Sequence, residues 1–471
     1  MTHKTKILAT LGPATSSEKM IKSLICTGVD AFRLNFSHST HDEHKKLIRI
    51  IRKISKELKT SVSIVQDLGG PKIRVGTVND EKKVYLKKGN SIRIVKKEIT
   101  GDENCISTNY GDIVNAVKIG QRILINDGII SLRVKEKKNN ELICDIIAGG
   151  LLSSRKGINL PETKLSLPSL TDKDKKDLLF GLTNNVDYIA LSFVRSVSDI
   201  QMLKSIIMKQ NKKTPVIAKI EKPEAIKNID AIIDAVDGIM IARGDLAIET
   251  AIESVPIYQK KIIQKCREKH VLVITATQML ESMVENAVPT RAEASDVANA
   301  IIDGTDCVML SAETSVGKYP VRVVSTMRRI IKSAQQSLWG KTDYIKMLHL
   351  KGYIPQEAIS HSACLAADEM GARAIVVFTL SSKTARLIAS RHPQTKIIAL
   401  TPHSDIVRQL YLVWGVTPIC YNFNKNGGLM FEKAIDMLIS QKYIAKGNIL
   451  VIVTGETHSP ALSNMLKILQ L

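Results

Sequence analysis

PVIAKIEKPEAIKNIDAIIDAVDGIMIARGD, residues 215–245, reads as one strand, a helical stretch and a second strand. The run PVIAKIE (215–221) closes on Glu221, and GIMIARGD (238–245) closes on Asp245. Two parallel neighbours need a crossover of a dozen or more residues, and the segment between these runs supplies it. Six further runs have the same character: KILAT (6–10), DAFRLNF (30–36), VSIVQD (62–67), YIALSF (188–193), VLVITAT (271–277) and CVMLSAE (307–313). Read as eight parallel strands, they put Thr10, Arg33, Asn35, Asp67, Ser192, Lys219, Glu221, Asp245, Thr277 and Glu313 at or just past their C-terminal ends. In a (β/α)₈ barrel that rim is where catalytic residues gather.

The 471 residues exceed one typical domain. Hydrophobic residues are 44% and aromatics only 4%, so the core must be mainly aliphatic, as buried parallel strands require. The net charge of +21 favours anionic partners. It is spread along the chain, and stretches such as KDKK (173–176) fall on expected helices, so a solvated face explains them better than nucleic acid does. The seven cysteines are scattered without a CxxC pair, which excludes a zinc site of that spacing and fits a reducing compartment. MTHKTKILATLG shows no charged-then-apolar leader, and no run of about 18 apolar residues occurs. A cytoplasmic protein without a membrane partner is expected.

Strand and helix alternate from the start. Ser16 or Ser17 can cap the first helix and Gly28 can end it, and a second helix runs from about Thr40 to Lys59. From residue 70 to 167 the pattern changes to short alternating segments, KIRVGTV, KKVYLKKG, SIRIVKK, RILINDG, ISLRVKE and ELICDIIA, with turn signals NDG (126–128) and KNN (138–140). A small β domain is therefore inserted. Thr171 and Asp174 cap a helix where the barrel resumes. The expected domains are a barrel from 1–69 and 168–340, the insert at 70–167, and a C-terminal α/β unit at 341–471. Roughly 240 residues remain for the barrel, near the usual ~250.

Several clusters carry chemistry. In FRLNFSH (32–38), Arg33 and Asn35 share a strand face; Arg offers a fork for phosphate or carboxylate, and Asn35 and Ser37 offer oxygens. DLGGPKIR (67–74) puts Asp67 at a strand end, then a Gly-Gly-Pro hinge, with Lys72 and Arg74 over the barrel mouth. Lys219 and Glu221 lie two apart on one face of an extended segment, and Asp245 ends the next strand. Two such carboxylates can hold one Mg²⁺; a structural ion pair of Lys219 with Glu221 or Asp245 is the plainer alternative. Thr277 can relay a proton or cap a helix. Arg291 and Asp296 read as structural. FTLSSKTARLIA (378–389) offers Thr379, Ser381, Ser382, Lys383 and Thr384 to an anion, or a simple N-cap.

ATLGPAT, FRLNFSH, KIEKPEA, ARGDLAIE, ATQMLESM, PTRAEASDVANAI and CVMLSAET together resemble the pyruvate kinase family, in its order and over essentially the whole chain. The resemblance implies a TIM barrel with a small β-barrel lid and a C-terminal α/β effector domain. It implies phosphoryl transfer from phosphoenolpyruvate to ADP. Glu221 and Asp245 would bind Mg²⁺, Lys219 would stabilise the phosphoryl group and the enolate, and Thr277 with the amides near Gly244 would hold the substrate carboxylate and help deliver a proton. Arg33 and Arg74 would clamp phosphoryl oxygens. Asn35, Phe36, Ser37, His38, Arg74 and Lys156, in SSRKGIN, would contact the nucleotide. A homotetramer and a phosphorylated effector at residues 379–384 are also implied.

Two positions depart from the family pattern. Many members bind K⁺ with a hydroxyl residue after the strand-end Asp and a Glu five residues beyond it; here those positions are Leu68 and Lys72. Asn35, Ser37 and Asp67 still match, but K⁺-independent activity is expected. The C-terminal loop GETHSPALSNML (455–466) has no basic residue before Lys467, which favours a monophosphate effector over a bisphosphate. The rival readings are a Mg²⁺-dependent barrel lyase acting on a pyruvate enolate, which has no nucleotide to cover, and a nucleic-acid-binding protein.

Overall fold

The computed structural model describes residues 3–79, 82–163, 167–338, 355–423, 427–455 and 463–471. All eight runs form strands: Lys6–Thr10, Ala31–Asn35, Ser63–Asp67, Tyr188–Leu191, Val216–Ile220, Gly238–Ala242, Leu272–Ala276 and Cys307–Leu310. They pair in chain order, and the first closes on the eighth to complete the barrel. Every pairing is parallel. Strand alternation splits the apolar side chains into two layers. Ile7, Phe32, Ile64 and Ile239 face the helices, while Leu8, Ala31, Val65 and Met240 fill the interior.

Helix ends follow the sequence signals. Ser17 accepts from the Met20 amide and Gly28, at φ 120°, ends the first helix. Thr40 and Glu43 form a capping box on His41–Glu57, as do Thr171 and Asp174 on Asp172–Thr183. Such caps contribute about 1 kcal/mol each.

The inserted domain has its own core, including Ile92, Ile123, Leu132 and Leu142. A six-stranded sheet runs in the order Ile158–Asn159, Arg122–Ile125, Ile130–Lys138, Glu141–Ala148, Ser91–Val95, Cys105–Ser107, beside a ribbon of Val84–Leu86 with Gly150–Leu152. Asn126 and Asp127 both take positive φ in the NDG turn, which suits a tight hairpin. KIRVGTV is not a strand; it contributes only isolated bridges at Arg74, Val75 and Val78.

The C-terminal sheet orders as Val416–Cys420, Lys396–Thr401, Ala374–Phe378, Ile449–Gly455 and Ser463–Gln470. Four strands are parallel and the last is antiparallel. This domain seals the barrel floor. Leu412, just past helix Ser404–Leu410, is fully buried within the barrel's interior cluster. Around it Tyr188 donates to the Gln409 carbonyl (3.0 Å), and Arg408 and Arg52 each bind one oxygen of buried Asp187 at 2.7 Å. Among the described residues no helix is long and apolar enough to cross a membrane, and the seven cysteines are all free.

Candidate active site

A cleft at the C-terminal rim of the barrel is lined by Arg33, Asn35, Ser37, His38, Asp67, Leu68, Lys72, Arg74, Ser192, Lys219, Glu221 and Asp245, among others. Lys219 is its centre. The ammonium lies 2.9 Å from Glu221 Oε1, 3.2 Å from Asp67 Oδ1 and 2.8 Å from Ser192 Oγ. The third, fourth and fifth strands therefore meet at one charge. Burial alone would drive this lysine towards neutrality, but Asp67 and then Glu221 outweigh it and hold the pKa above the ordinary value. Burial would likewise raise Asp67; the charges of Lys219 and Arg33 reverse that and keep it below the usual carboxylate range. Arg33 is braced, with Nε 2.6 Å from Asp67 Oδ2 and Nη1 3.2 Å from Thr10 Oγ1.

Glu221 behaves differently. Its Oε2 accepts from the Phe193 amide at 2.8 Å, and Phe193 turns to a left-handed φ of 54° to present it. Burial, with the nearby Asp245 charge adding to it, nevertheless raises the Glu221 pKa. Two mutually repelling carboxylates beside a cleft fit a divalent cation, which would relieve that repulsion. Among the described residues no group of three or more His, Cys, Asp or Glu side chains could cage a metal alone, so further ligands would have to come from substrate or water.

Thr277 follows the seventh strand at φ 71°, an unusual conformation for a β-branched residue and one that costs about 1–3 kcal/mol. Arg243 holds it there. This buried guanidinium donates to the Thr277 carbonyl (2.7 Å) and the Ala276 carbonyl (3.3 Å), and pairs with Asp296 at 2.8 Å. The Thr277 hydroxyl accepts from the Gly244 amide at 2.7 Å and donates to the Ala276 carbonyl at 2.6 Å. Thr277 and Gly244 therefore form one unit. Asp296 is structural, as its sequence context suggests, and its partner Arg243 is signalled only by a charged residue standing between a strand end and a carboxylate.

Other expected residues fall unevenly. Asn35, Ser37 and His38 line the cleft, with Asn35 Oδ1 accepting from the Ser37 amide at 3.1 Å. Burial lowers the His38 pKa, and Arg74, Arg33, Lys72 and Lys173 lower it further. The Phe36 ring does not reach the cleft. It is buried and stacks on His44 with centroids 4.0 Å apart, so only its backbone faces the loop. Arg74 reaches the cleft from the inserted domain and donates to the Arg155 carbonyl at 3.0 Å. Lys156 is not among the lining residues; its carbonyl pairs with the Val75 amide. Leu68 is fully buried, and Lys72 Nζ lies 4.0 Å from Asp245 Oδ1.

In the C-terminal domain, Thr379 and Thr384 are buried, while Ser381 and Lys383 are exposed. Thr379 donates to the Ser381 carbonyl, and Ser382 makes no side-chain capping bond. Most of the 455–466 loop lies outside the described residues.

Comparison with known proteins places this geometry. Residues 2–324 match the family described as pyruvate kinase, barrel domain, and residues 357–469 match pyruvate kinase, alpha/beta domain. The chain is 44% identical over 456 residues to pyruvate kinase 2 of Synechocystis sp., covering 96% of this chain and 76% of that protein. It is 42% identical over 474 residues to the pyruvate kinase of Staphylococcus saprophyticus, covering 99% and 80% respectively. A solved pyruvate kinase from Cryptosporidium parvum superposes with a TM-score of 0.93 at 35% identity, over 100% of this chain and 96% of that one.

Proposed function

The chain belongs to the pyruvate kinase family, and on that premise we propose how its own residues carry the reaction. It is a phosphotransferase; pyruvate kinases act on phosphoenolpyruvate and ADP. The observation that carries the residue assignment is the convergence of Arg33, Lys72, Arg74 and Lys219 with Glu221 and Asp245 on one rim cleft. Phosphoryl transfer needs positioning and charge neutralisation more than covalent help. Family membership sets aside the barrel-lyase alternative.

Lys219, kept charged by Asp67 and Glu221, neutralises the transferring phosphoryl group and the enolate it leaves behind. Arg33, braced at Nε and Nη1, and Arg74 clamp phosphoryl oxygens. On substrate binding the Gly244 amide and the Thr277 hydroxyl turn from their present acceptors, Thr277 Oγ1 and the Ala276 carbonyl, to the substrate carboxylate, and a water held at Thr277 carries the proton to the enolate methylene. The backbone and polar side chains of Asn35–His38, with Arg74 and Lys156, meet the nucleotide. Glu221 and Asp245 would hold Mg²⁺, which when bound supplies charge neutralisation to phosphoryl and enolate oxygens. Turnover of phosphoenolpyruvate and ADP, titrated with Mg²⁺, tests the metal assignment. Glu221→Gln and Asp245→Asn should each raise the half-saturating Mg²⁺ concentration by at least about tenfold, and unchanged titrations in both would remove it.

Turnover is independent of K⁺ in this reading. Asn35, Ser37 and Asp67 offer oxygens, but Leu68 has none in its side chain and the Lys72 ammonium occupies the neighbourhood of Asp245. Rates in K⁺ and in a large inert cation such as tetramethylammonium should match; strong activation by K⁺ would refute this. The enzyme works in the cytoplasm as a homotetramer, and a phosphorylated small molecule acts at the hydroxyl-rich turn of Thr379, Ser381, Ser382, Lys383 and Thr384, where Ser381 and Lys383 are exposed. A Ser382→Glu variant that kept the parent's response to every phosphorylated activator would end the effector reading.

A further inference from the structure

The inserted domain leaves the barrel through Gly69 and Gly70 and returns just before helix Asp172–Thr183. Both links are held by one carboxylate. Asp174 is 1% exposed. Its Oδ1 accepts from the Gly70 amide at 3.2 Å, across 104 residues of chain. Its Oδ2 accepts from the Thr171 amide at 2.9 Å and the Thr171 hydroxyl at 2.5 Å. A capping box accounts for the Thr171 half and not for Gly70. Gly70 is itself constrained: its φ is +66°, and a Cβ there would lie 2.7 Å from the Phe193 ring.

The adjacent residue grips one wall of the cleft. Lys173 Nζ donates to the Phe36 carbonyl at 2.6 Å and pairs with Asp177 Oδ2 at 2.6 Å. Asp177 Oδ1 in turn bonds His41 Nε2 at 2.7 Å. Phe36 sits inside the loop that gives Asn35, Ser37 and His38 to the cleft. One helical turn thus holds the two roots of the inserted domain and the wall opposite it. Neither Lys173 nor Asp174 lines the cleft.

We propose that Asp174 and Lys173 are positioning residues that register the inserted domain against the Asn35–His38 loop, so that both meet the nucleotide together. The proposal rests on the reading that this loop contacts ADP. A carboxylate can accept on both oxygens, whereas an amide accepts on one and turns donors towards the other link. Asp174→Asn therefore releases either Gly70 or Thr171. Lys173→Gln removes the cation from the Phe36 carbonyl; its own side chain is 64% exposed and buried Asp177 keeps its bond to His41, so the variant should fold, as its urea midpoint checks.

The test is steady-state kinetics of the full-length enzyme in each substrate, with amide hydrogen exchange over residues 68–72 and 168–172. In both variants KM for ADP should rise about tenfold, the expected loss for a hydrogen bond to a charged group. KM for phosphoenolpyruvate should stay within about twofold. Exchange at the two links should accelerate in Asp174→Asn, and Lys173→Arg should restore KM for ADP. Unchanged KM for ADP in Lys173→Gln overturns the proposal even if Asp174→Asn fails to fold. Asn35→Ala separates the two readings. If it raises KM for ADP while Lys173→Gln and Asp174→Asn do not, the loop reading stands and the positioning role falls. If it too leaves KM for ADP unchanged, the loop reading fails and takes the proposal with it.

Discussion

Lys219 Nζ lies 3.2 Å from Asp67 Oδ1, joining the ends of the third and fifth barrel strands across the Ser192 hydroxyl of the fourth. One side chain therefore balances two buried carboxylates, and in the proposed reaction it also supplies positive charge to the phosphoryl group.

Lys219→Met should do two kinds of damage. kcat should fall by about 10²–10³, the typical loss when a preorganised charge is removed. Stability should also fall, by about 3–5 kcal/mol, because Asp67 and Glu221 lose their shared partner while buried. Turnover and urea midpoints measure both, and a variant with full stability would show that the carboxylates are balanced elsewhere.

Thr277→Val keeps the shape and removes the hydroxyl that engages the Gly244 amide. kcat should drop about 10²-fold, as for loss of a positioned proton relay. Thr277→Ser should stay near the parent. Equal losses in both would point to the strained backbone, held by Arg243, in place of the hydroxyl.

The seam between the barrel floor and the C-terminal domain carries two opposed titrations. Burial, then Arg391, lowers His270 to about 4, and burial raises Asp306 to about 6. At His270 the native state binds fewer protons than the unfolded chain, so its stabilisation is lost as pH falls from about 6.5 towards 4. At Asp306 the native state binds more, so stabilisation is lost as pH rises from 3.8 through about 6. Asp306→Asn removes the second slope alone. The variant should gain on the parent as pH rises across that window, read from denaturant midpoints. A constant offset would contradict the shift.

Leu412→Ala should open a cavity in the barrel interior and cost about 2–5 kcal/mol. Thermal unfolding followed at the barrel and at the C-terminal domain checks this. A neutral change would mean that the floor closes without it.

The barrel was legible because buried parallel strands are continuous apolar runs, and each run stops where a polar group is needed at the rim. KILAT and GIMIARGD state strand, burial and site in a few letters. Lys219, Glu221 and Asp245 could be paired on spacing because adjacent strand ends are close by construction. Contacts made across distant chain were not legible. Thr171 and Asp174 announce a cap three residues apart, but nothing local signals that Asp174 also holds Gly70. Leu412 looks like any apolar residue after a helix, and its place inside the barrel depends on how two domains dock. Short pieces such as Cys105–Ser107 and Gly150–Leu152 carry too few residues to show alternation. Nothing in FRLNFSH says which of its side chains turn inward, and the Phe36 ring packs on His44, leaving its backbone beside the cleft.

Lys72, two residues beyond Gly70, brings its ammonium to 4.0 Å from Asp245 on a tether of known length. A charge attached to the chain has a local concentration set by geometry, not by the surrounding solution. The positive charge beside Asp245 is therefore supplied by the chain itself, from a residue rooted two positions past the Gly69–Gly70 link.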